Sequence, residues 1–426
     1  MNFKMIASTL RRLLFVEGLL MLVPTVVALI YKESVFPFLV VAVPLIIIGS
    51  IKNPTNLDKT IYGKEGLFIV AAVWVLWSLF GALPYVISGA IPSYVDAVFE
   101  TVSGFTTTGS SILTDVESLP HGILFWRSFA HFIGGMGVLV FVLAIIPLAE
   151  NRSMYIMKAE MPGPSVDKLV PKTKETAKIL YLIYVALTAL LVVLLLAGGM
   201  PLFDSLIHAF GTAGTGGFSI KSASIAAYNS PYIESVITAF MLIFGINFNV
   251  FYLLLIGKFS RALRNTELWF YLGTFVVATL IITVNIKSGY AANADATRDA
   301  AFQVASVMST TGYSTADFSL WPGLSQSILM LLMIGGACAG STAGGFKLIR
   351  VILLGKILRQ DVKKVIRPRV VSKLRLDGKI VEDDAIMGIK NYTLFYIAVI
   401  VITYIILSFD GFDITTTVSS VLTCLN

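Results

Sequence analysis

Three stretches of this 426-residue chain place oxygen-bearing side chains and glycines at one spacing. Residues 96–110 read DAVFETVSGFTTTGS, residues 204–219 read DSLIHAFGTAGTGGFS, and residues 299–314 read DAAFQVASVMSTTGYS. In each, an Asp (Asp96, Asp204, Asp299) stands thirteen positions before a Gly (Gly109, Gly217, Gly312). A glycine there permits positive φ, so successive carbonyls can turn to one side and replace the hydration shell of an ion. Thr107, Thr108, Thr215, Thr310 and Thr311 add hydroxyl or carbonyl oxygens. A lining of oxygens with no carboxylate at the loop suits a monovalent alkali cation better than a divalent one. In the second loop Gly216 adjoins Gly217. The thirteen-residue register and the match of Gly-Phe-Ser to Gly-Tyr-Ser both select Gly217.

Such loops need elements to hold them. The chain is 56% apolar and 13% charged, with a mean hydropathy of +0.84, whereas charged residues make up about a quarter of a soluble domain. That composition reads as an all-α polytopic membrane protein. Each loop lies between two apolar runs, so the repeating unit is spanning helix, Asp-led segment, Thr/Ser/Gly loop, spanning helix, arranged around a central ion pathway. The runs fall at 66–88 and 123–148, at 178–198 and 231–257, at 268–286 and 324–358, and at 391–409, and each approaches the length a hydrocarbon core requires. The Asp-led segments, about ten helical residues each, suit re-entrant half-helices. The C-terminal end of such a half-helix carries partial negative charge, favourable to a cation. The three Asp read as caps of the opposite ends.

Ahead of the repeats, apolar runs 13–31 and 35–51 form an extra helical pair without a Thr/Gly loop. The first is too long for a secretory signal and reads as a retained span. Glu17 within it reads as a side chain that snorkels or packs near a membrane end. The organisation is then 1–62 accessory pair, 63–150 repeat one, 151–265 repeat two, 266–378 repeat three, and 379–426 repeat four. All but five of the 32 Lys and Arg (Lys32, Arg127, Lys221, Lys287, Arg298) fall at the N-terminus or on 51–64, 150–178, 257–265 and 347–390. By the positive-inside rule those stretches are cytoplasmic, and the three loops enter from the outer face.

Other chemistry is poorly supported. The net charge of +7 is accounted for by these cytoplasmic stretches, and no basic stripe interleaved with aromatics marks a nucleic-acid surface. Cys338 and Cys424 lack C-x-x-C spacing, so neither a disulfide framework nor a metal site is indicated. His121, His131 and His208 lack the i, i+4 pairing of a helical metal site. Gly134, Gly135 and Gly137 read as close helix packing. The glycines of 211–217 follow no strand, which argues against a nucleotide cradle. An intramembrane enzyme would need a nucleophile or metal cluster, and none can be assembled.

Residues 335–347, GGACAGSTAGGFK, carry two readings. Gly336, Gly340 and Gly344 are four apart, a small-residue packing face if the segment is helical. With Gly335 and Gly345 they also make a continuous helix costly, at about 1 kcal/mol per glycine relative to Ala. The second reading, a flexible break, is favoured. Lys347 reads equally as a guard of the inner mouth or as a snorkelling interfacial lysine.

The loops FTTTGSS, GTGGFS and STTGYS, set in membrane-loop-membrane repeats behind an extra helical pair, resemble the superfamily of potassium transporters that includes TrkH, KtrB and the plant HKT proteins. The leading pair and GGACAGSTAGGFK resemble the TrkH branch most, and the resemblance runs over essentially the whole chain. It implies a K+ filter of Thr107, Thr108, Gly109, Thr215, Gly216, Gly217, Thr310, Thr311 and Gly312. It also implies a gate of Gly335, Gly336, Gly340, Gly344, Gly345 and Lys347 that obstructs the path. A Ser at the first filter glycine goes with sodium permeation in this superfamily, so Gly109 is the potassium-type residue. The alternatives are a sodium-permeable relative or a subunit resembling KdpA of an ATP-driven pump. The transported ion is the only ligand implied; no cofactor is. The resemblance further implies a homodimer in a bacterial-type inner membrane, docked by a cytoplasmic TrkA-like nucleotide-binding regulatory subunit on basic stretches such as 347–379. Asp413 opens a fourth segment, ITTTVSSVLTCLN, and the same register places its loop at the end of the chain, so the sequence reads as incomplete at its C-terminus.

Overall fold

A computed structural model describes residues 2–51, 63–137, 173–367 and 373–425. They form two compact units. One holds the described residues up to Phe240 together with Thr311–Thr315; the other holds Met241–Thr310 and the described residues from Ala316 onward.

In the first unit, α1 (Phe3–Leu20) starts at Asn2, whose side chain accepts the Met5 N–H. It gives way to α2 (Leu22–Ile30) just where Pro24, which lacks an N–H, would have bonded the Leu20 carbonyl. Together they make a span, Phe3–Ile30, and α3 (Phe36–Ser50) packs back on α1. Of the two readings of Glu17, packing against neighbours holds and snorkelling does not. Glu17 lies near the middle of that span, is 0% exposed, and neither carboxylate oxygen has a hydrogen-bond partner among the described residues. A side chain enclosed so completely packs inside the protein and does not snorkel.

The chain continues through α4 (Gly63–Gly81) and α5 (Leu83–Ile87) to the short α6 (Tyr94–Phe105) and then α7 (His121–Gly135). An edge-to-face column of Trp77, Phe105 and Trp126 locks these together, and Trp126 Nε1 donates to the Gly81 carbonyl at 3.0 Å. The leading pair is more than an accessory. Residue 120 before α7 is a proline with no capping side chain, and Glu33 supplies the missing cap, accepting the N–H groups of His121 at 2.7 Å and Gly122 at 2.9 Å. Next come α8 (Thr173–Ala197), α9 (Leu202–Ala213) and α10 (Pro231–Phe244), whose last four residues belong to the second unit.

The second unit adds α11 (Phe248–Leu255), α12 (Phe259–Leu263), α13 (Thr266–Ile286), α14 (Asn293–Met308), α15 (Gly323–Gly335), α16 (Leu348–Ile366), α17 (Asp383–Leu407) and α18 (Ile414–Leu425). The chain is not wholly helical: β1 (Arg375–Leu376) pairs antiparallel with β2 (Lys379–Ile380). Leu374, beside this hairpin, is buried with Leu353 and Ile357 of α16 and Ile389 of α17.

Five helices are long and apolar enough to cross a bilayer among the described residues: Phe3–Ile30, Lys64–Ile87, Ala177–Ala197, Thr266–Gly289 and Asp383–Asp410. Two apolar runs are broken, one against expectation and one at the glycine-rich segment where a break is expected. Run 231–257 bends by 91° between α10 and α11, because Asn247 caps a new helix by accepting the Asn249 N–H. Run 324–358 is interrupted from Gly336 to Lys347. Beyond Gly137, the expected span 123–148 and most of the basic stretch 150–178 lie outside the described residues.

The aspartates also differ from expectation. Ser93 is the N-cap of α6, and Asp96 sits in the first turn. Asp204 likewise lies in the first turn of α9, its carboxylate accepting from Tyr228. Asp299 is inside α14, which starts earlier, at Asn293, with Asp295 in its first turn. First-turn carboxylates still complement the helix dipole. Only Asp413 is a true cap, its carboxylate accepting from Thr416 N at 3.0 Å and from Thr416 Oγ1 at 2.5 Å.

Candidate functional site

The helices α6, α9 and α14 end in the same way. Each closes with its C-terminal N–H groups turned back onto the last turn: Thr107 N to Gly104 O and Thr108 N to Ser103 O, then Thr215 N to Thr212 O and Gly216 N to Gly211 O, then Thr310 N to Val307 O. The first two show both bonds of the Schellman arrangement and the third its inner one, and the left-handed position of that arrangement is normally glycine. Here it is threonine all three times, with φ of +56° at Thr107, +55° at Thr215 and +57° at Thr310. A β-branched residue in that region is a genuine outlier, costing on the order of 1–3 kcal/mol, and such strain clusters at functional sites. Two residues later the backbone is left-handed again, at Gly109 (+77°), Gly217 (+76°) and Gly312 (+83°). The glycine equivalent to Gly109 and Gly312 is therefore Gly217 and not Gly216.

The three loops meet. A side chain at Gly109 would collide with the carbonyl oxygen of Gly216, and one at Gly217 with the carbonyl oxygen of Thr311. Carbonyl-bearing backbone of one loop thus abuts the glycine of another, in the order one to two and two to three.

Around the second loop stands a set of buried polar groups that no local pattern announced. Glu100 of α6 and Arg127 of α7 form an ion pair at 2.5 Å with side chains 0% and 4% exposed. Glu100 also accepts from Ser111 Oγ and Ile112 N, both at 3.0 Å. Arg127 donates from Nη1 to the Ser219 carbonyl at 3.0 Å and lies 3.5 Å from the centre of the Phe218 ring. A buried pair of this kind is tolerated only when its remaining donors and acceptors are satisfied.

His131 donates from Nδ1 to the Gly104 carbonyl at 2.8 Å and accepts the Phe218 N–H on Nε2 at 3.3 Å. An amide can only donate, so Nε2 carries no proton. His208 donates from Nδ1 to the Asp204 carbonyl, and its Nε2 faces Ser219 Oγ at 3.0 Å. Tyr313, in the third loop, shares its hydroxyl proton between the His208 and Phe218 carbonyls, each at 3.3 Å. Close approach by α7 makes this possible: a side chain at Gly134 would collide with the Phe105 carbonyl.

The glycine-rich segment forms its own site in the second unit. Between α15 and α16 the chain is not helical, with positive φ at Gly336 (+64°), Gly340 (+72°), Gly345 (+80°) and Lys347 (+73°). The packing-face reading fails here, because glycines four apart share a face only on a helix. The segment is stitched to the break between α10 and α11. Cys338 N donates to Gly245 O at 3.1 Å, Phe248 N to Gly340 O at 3.0 Å, and the Thr342 hydroxyl to Phe244 O at 3.2 Å. One oxygen of Glu267, 3% exposed at the start of α13, accepts the N–H of Ala339 at 2.8 Å and of Ile349 at 2.9 Å. Lys347 is buried at 3% and donates to the Ala343 carbonyl, so it is no snorkelling interfacial lysine.

Of the residues singled out by sequence, Thr107, Thr108, Gly109, Thr215, Gly216, Gly217, Thr311 and Gly312 belong to the three loops that come together in the first unit. Thr310 and the residues from Gly335 to Lys347 fall in the second. Glu100, Arg127, His131, His208 and Glu267 had only their burial-prone helical positions to mark them, while Tyr313 was visible as part of the third loop's Gly-Tyr-Ser but not as a partner of the second.

A family model described as TrkH, cation transport protein, matches residues 38–426. The Trk system potassium uptake protein TrkH of Salmonella typhimurium is 34% identical over 434 residues, covering 100% of this chain and 90% of the relative. The Trk system potassium uptake protein TrkG of Escherichia coli K12 is 33% identical, covering 97% and 87%. The crystal structure of the potassium transporter TrkH from Vibrio parahaemolyticus superimposes with a TM-score of 0.86 at 28% identity, over 99% of this chain and 89% of that one. Matched along almost its whole length, this multi-pass membrane chain belongs to the TrkH family of cation transport proteins.

Proposed function

We infer that this chain is the membrane subunit of a potassium uptake system, in which K+ passes a filter formed by the three Thr/Gly loops and a gate formed by residues 335–347. The observation that carries the reading is the strained threonine repeated at one φ in three loops, with the first loop's glycine against a carbonyl of the second and the second loop's against a carbonyl of the third. A fold keeps that strain where the backbone oxygens beyond it are needed. Three helix C-termini, each leading directly into one of the loops, add partial negative charge. Relatives named as potassium uptake proteins support K+ as the ion. So does Gly109, where a sodium-permeable relative would be expected to carry Ser.

The units 63–150, 151–265, 266–378 and 379–426 are then pore repeats, with the loops on the outer face and the basic stretches inside. Inward K+ movement draws on the membrane potential, about 2.3 kcal/mol per charge per 100 mV. The basic segment around α16 suits a homodimer that recruits a cytoplasmic nucleotide-binding subunit. Reconstitution of the full-length protein in liposomes, with K+ and Na+ uptake measured under an imposed potential, tests the reading. K+ uptake well above Na+ uptake is expected; equal uptake of both ions, or none, overturns it.

A further inference from the structure

Loops one and three carry Thr-Thr-Gly at the turn, whereas loop two carries Thr215-Gly216-Gly217. Two consecutive glycines make the second loop the one with most conformational freedom to lose. Yet its next residues are held on every polar atom of the pair except one amide. Phe218 N–H is taken by His131, the Phe218 carbonyl by Tyr313, the Ser219 carbonyl by Arg127, and Ser219 Oγ by His208 and by the N–H of Lys221. Moreover, a side chain at Gly216 would fall on the His131 ring. The imidazole, arriving from α7, therefore fills the space that Thr108 and Thr311 fill in their own loops.

We propose that Arg127, His131 and Tyr313 are positioning residues of the second loop, and that the ion preference of the pathway is set through the Phe218–Ser219 backbone they hold. None of them is a ligand of the ion; each acts through the carbonyls it fixes. Glu100 belongs to the same device, because it anchors the Arg127 guanidinium that bonds the Ser219 carbonyl. Tyr313 makes the device cooperative between repeats, since it follows the third loop's glycine and bonds the second loop's carbonyl. These bonds fix where the Phe218 and Ser219 carbonyl dipoles point, and the direction of such dipoles is what a backbone filter presents to an ion.

This inference rests on the three loops being the filter, so the experiment must separate the two ideas. In the full-length protein, Tyr313→Phe, Arg127→Lys and His131→Phe are compared with wild type and with Gly109→Ser, reading K+ and Na+ flux per assembled protein in liposomes. Arg127→Lys keeps the charge but loses the fork that reaches Glu100 and Ser219 together. A fall of about tenfold in the K+ to Na+ ratio is expected for it, the size of one charge-assisted hydrogen bond. Tyr313→Phe deletes a single oxygen and should lower the ratio less, by about threefold. In both, half-saturating K+ should rise while maximal flux changes little, a split that general destabilisation does not produce. If Gly109→Ser shifts the ratio and neither assembled Tyr313→Phe nor Arg127→Lys does, the positioning role is overturned and the filter stands. If Gly109→Ser leaves the ratio unchanged, the filter reading fails first and this one with it. Tyr313→Phe keeps the decision open to experiment even if the other two variants do not assemble.

Discussion

The backbone N–H of Gly344 donates to the side-chain oxygen of Thr310 at 2.8 Å. Thr310 is the strained, left-handed threonine of the third loop, and Gly344 lies inside the break between α15 and α16. The hydroxyl of a proposed filter residue is thus committed to the proposed gate. Thr310→Val keeps the shape and removes the acceptor, leaving an amide unpaired at a cost of about 1–3 kcal/mol. Raised flux from a loosened segment is expected, approaching that of a variant lacking Ala337–Ala343, while Thr310→Ser stays close to wild type. Liposome flux for the three variants checks this; Thr310→Val behaving as wild type would remove the link.

Gly109→Ser is expected to weaken discrimination of K+ from Na+. Its backbone lies at φ +77°, and a side chain there would meet the carbonyl of Gly216, so the first and second loops must separate. Ion-specific uptake by the mutant, normalised to folded protein, gives the answer.

Glu267 holds both flanks of the glycine-rich segment on one carboxylate oxygen. Glu267→Ala removes both bonds and should destabilise the protein by about 2–4 kcal/mol, with a rise in flux that regulation no longer controls. Glu267→Gln keeps an acceptor in place and should retain most of the control. Thermal unfolding and flux measured on the same preparations distinguish the two substitutions.

Arg359, Lys363, Lys364 and Arg367 lie along the second half of α16 and just past its end. If this face recruits a cytoplasmic regulatory subunit, neutralising the four should weaken recruitment in a salt-dependent way. A pull-down with the regulatory subunit is paired with binding to anionic vesicles. Loss of vesicle binding alone would assign the charge to lipid.

Glu33 caps α7 from the leading helical pair. Replacing it by Ala should lower stability by about 1–2 kcal/mol, as for other lost helix caps, and leave ion preference unchanged. A shift in ion preference would show that the pair reaches further into the pathway than a cap does.

Much of this is legible in the sequence. The three loops could be placed because their signal is local: threonine and glycine at fixed intervals after a short helix, a pattern that one stretch of chain spells out by itself. The break at 336–347 was legible for the same reason, since glycine density acts on the helix that contains it. The bend at Asn247 was hidden, because one capping side chain within an apolar run leaves the run's hydropathy intact. Glu17 was left between snorkelling and packing, because sequence gives a charge no depth or neighbours.

The sequence alone determined that the chain crosses a membrane repeatedly, that three loops repeat one spacing, and that Gly217 is the equivalent of Gly109 and Gly312. Tertiary structure decided what holds those loops. His131 bonds Phe218 across 87 residues of chain, and Glu267 bonds Ala339 across 72. The reason is physical: backbone conformation follows from neighbours in sequence, whereas the partner of a buried polar group is whatever the packing of distant helices brings within hydrogen-bond reach.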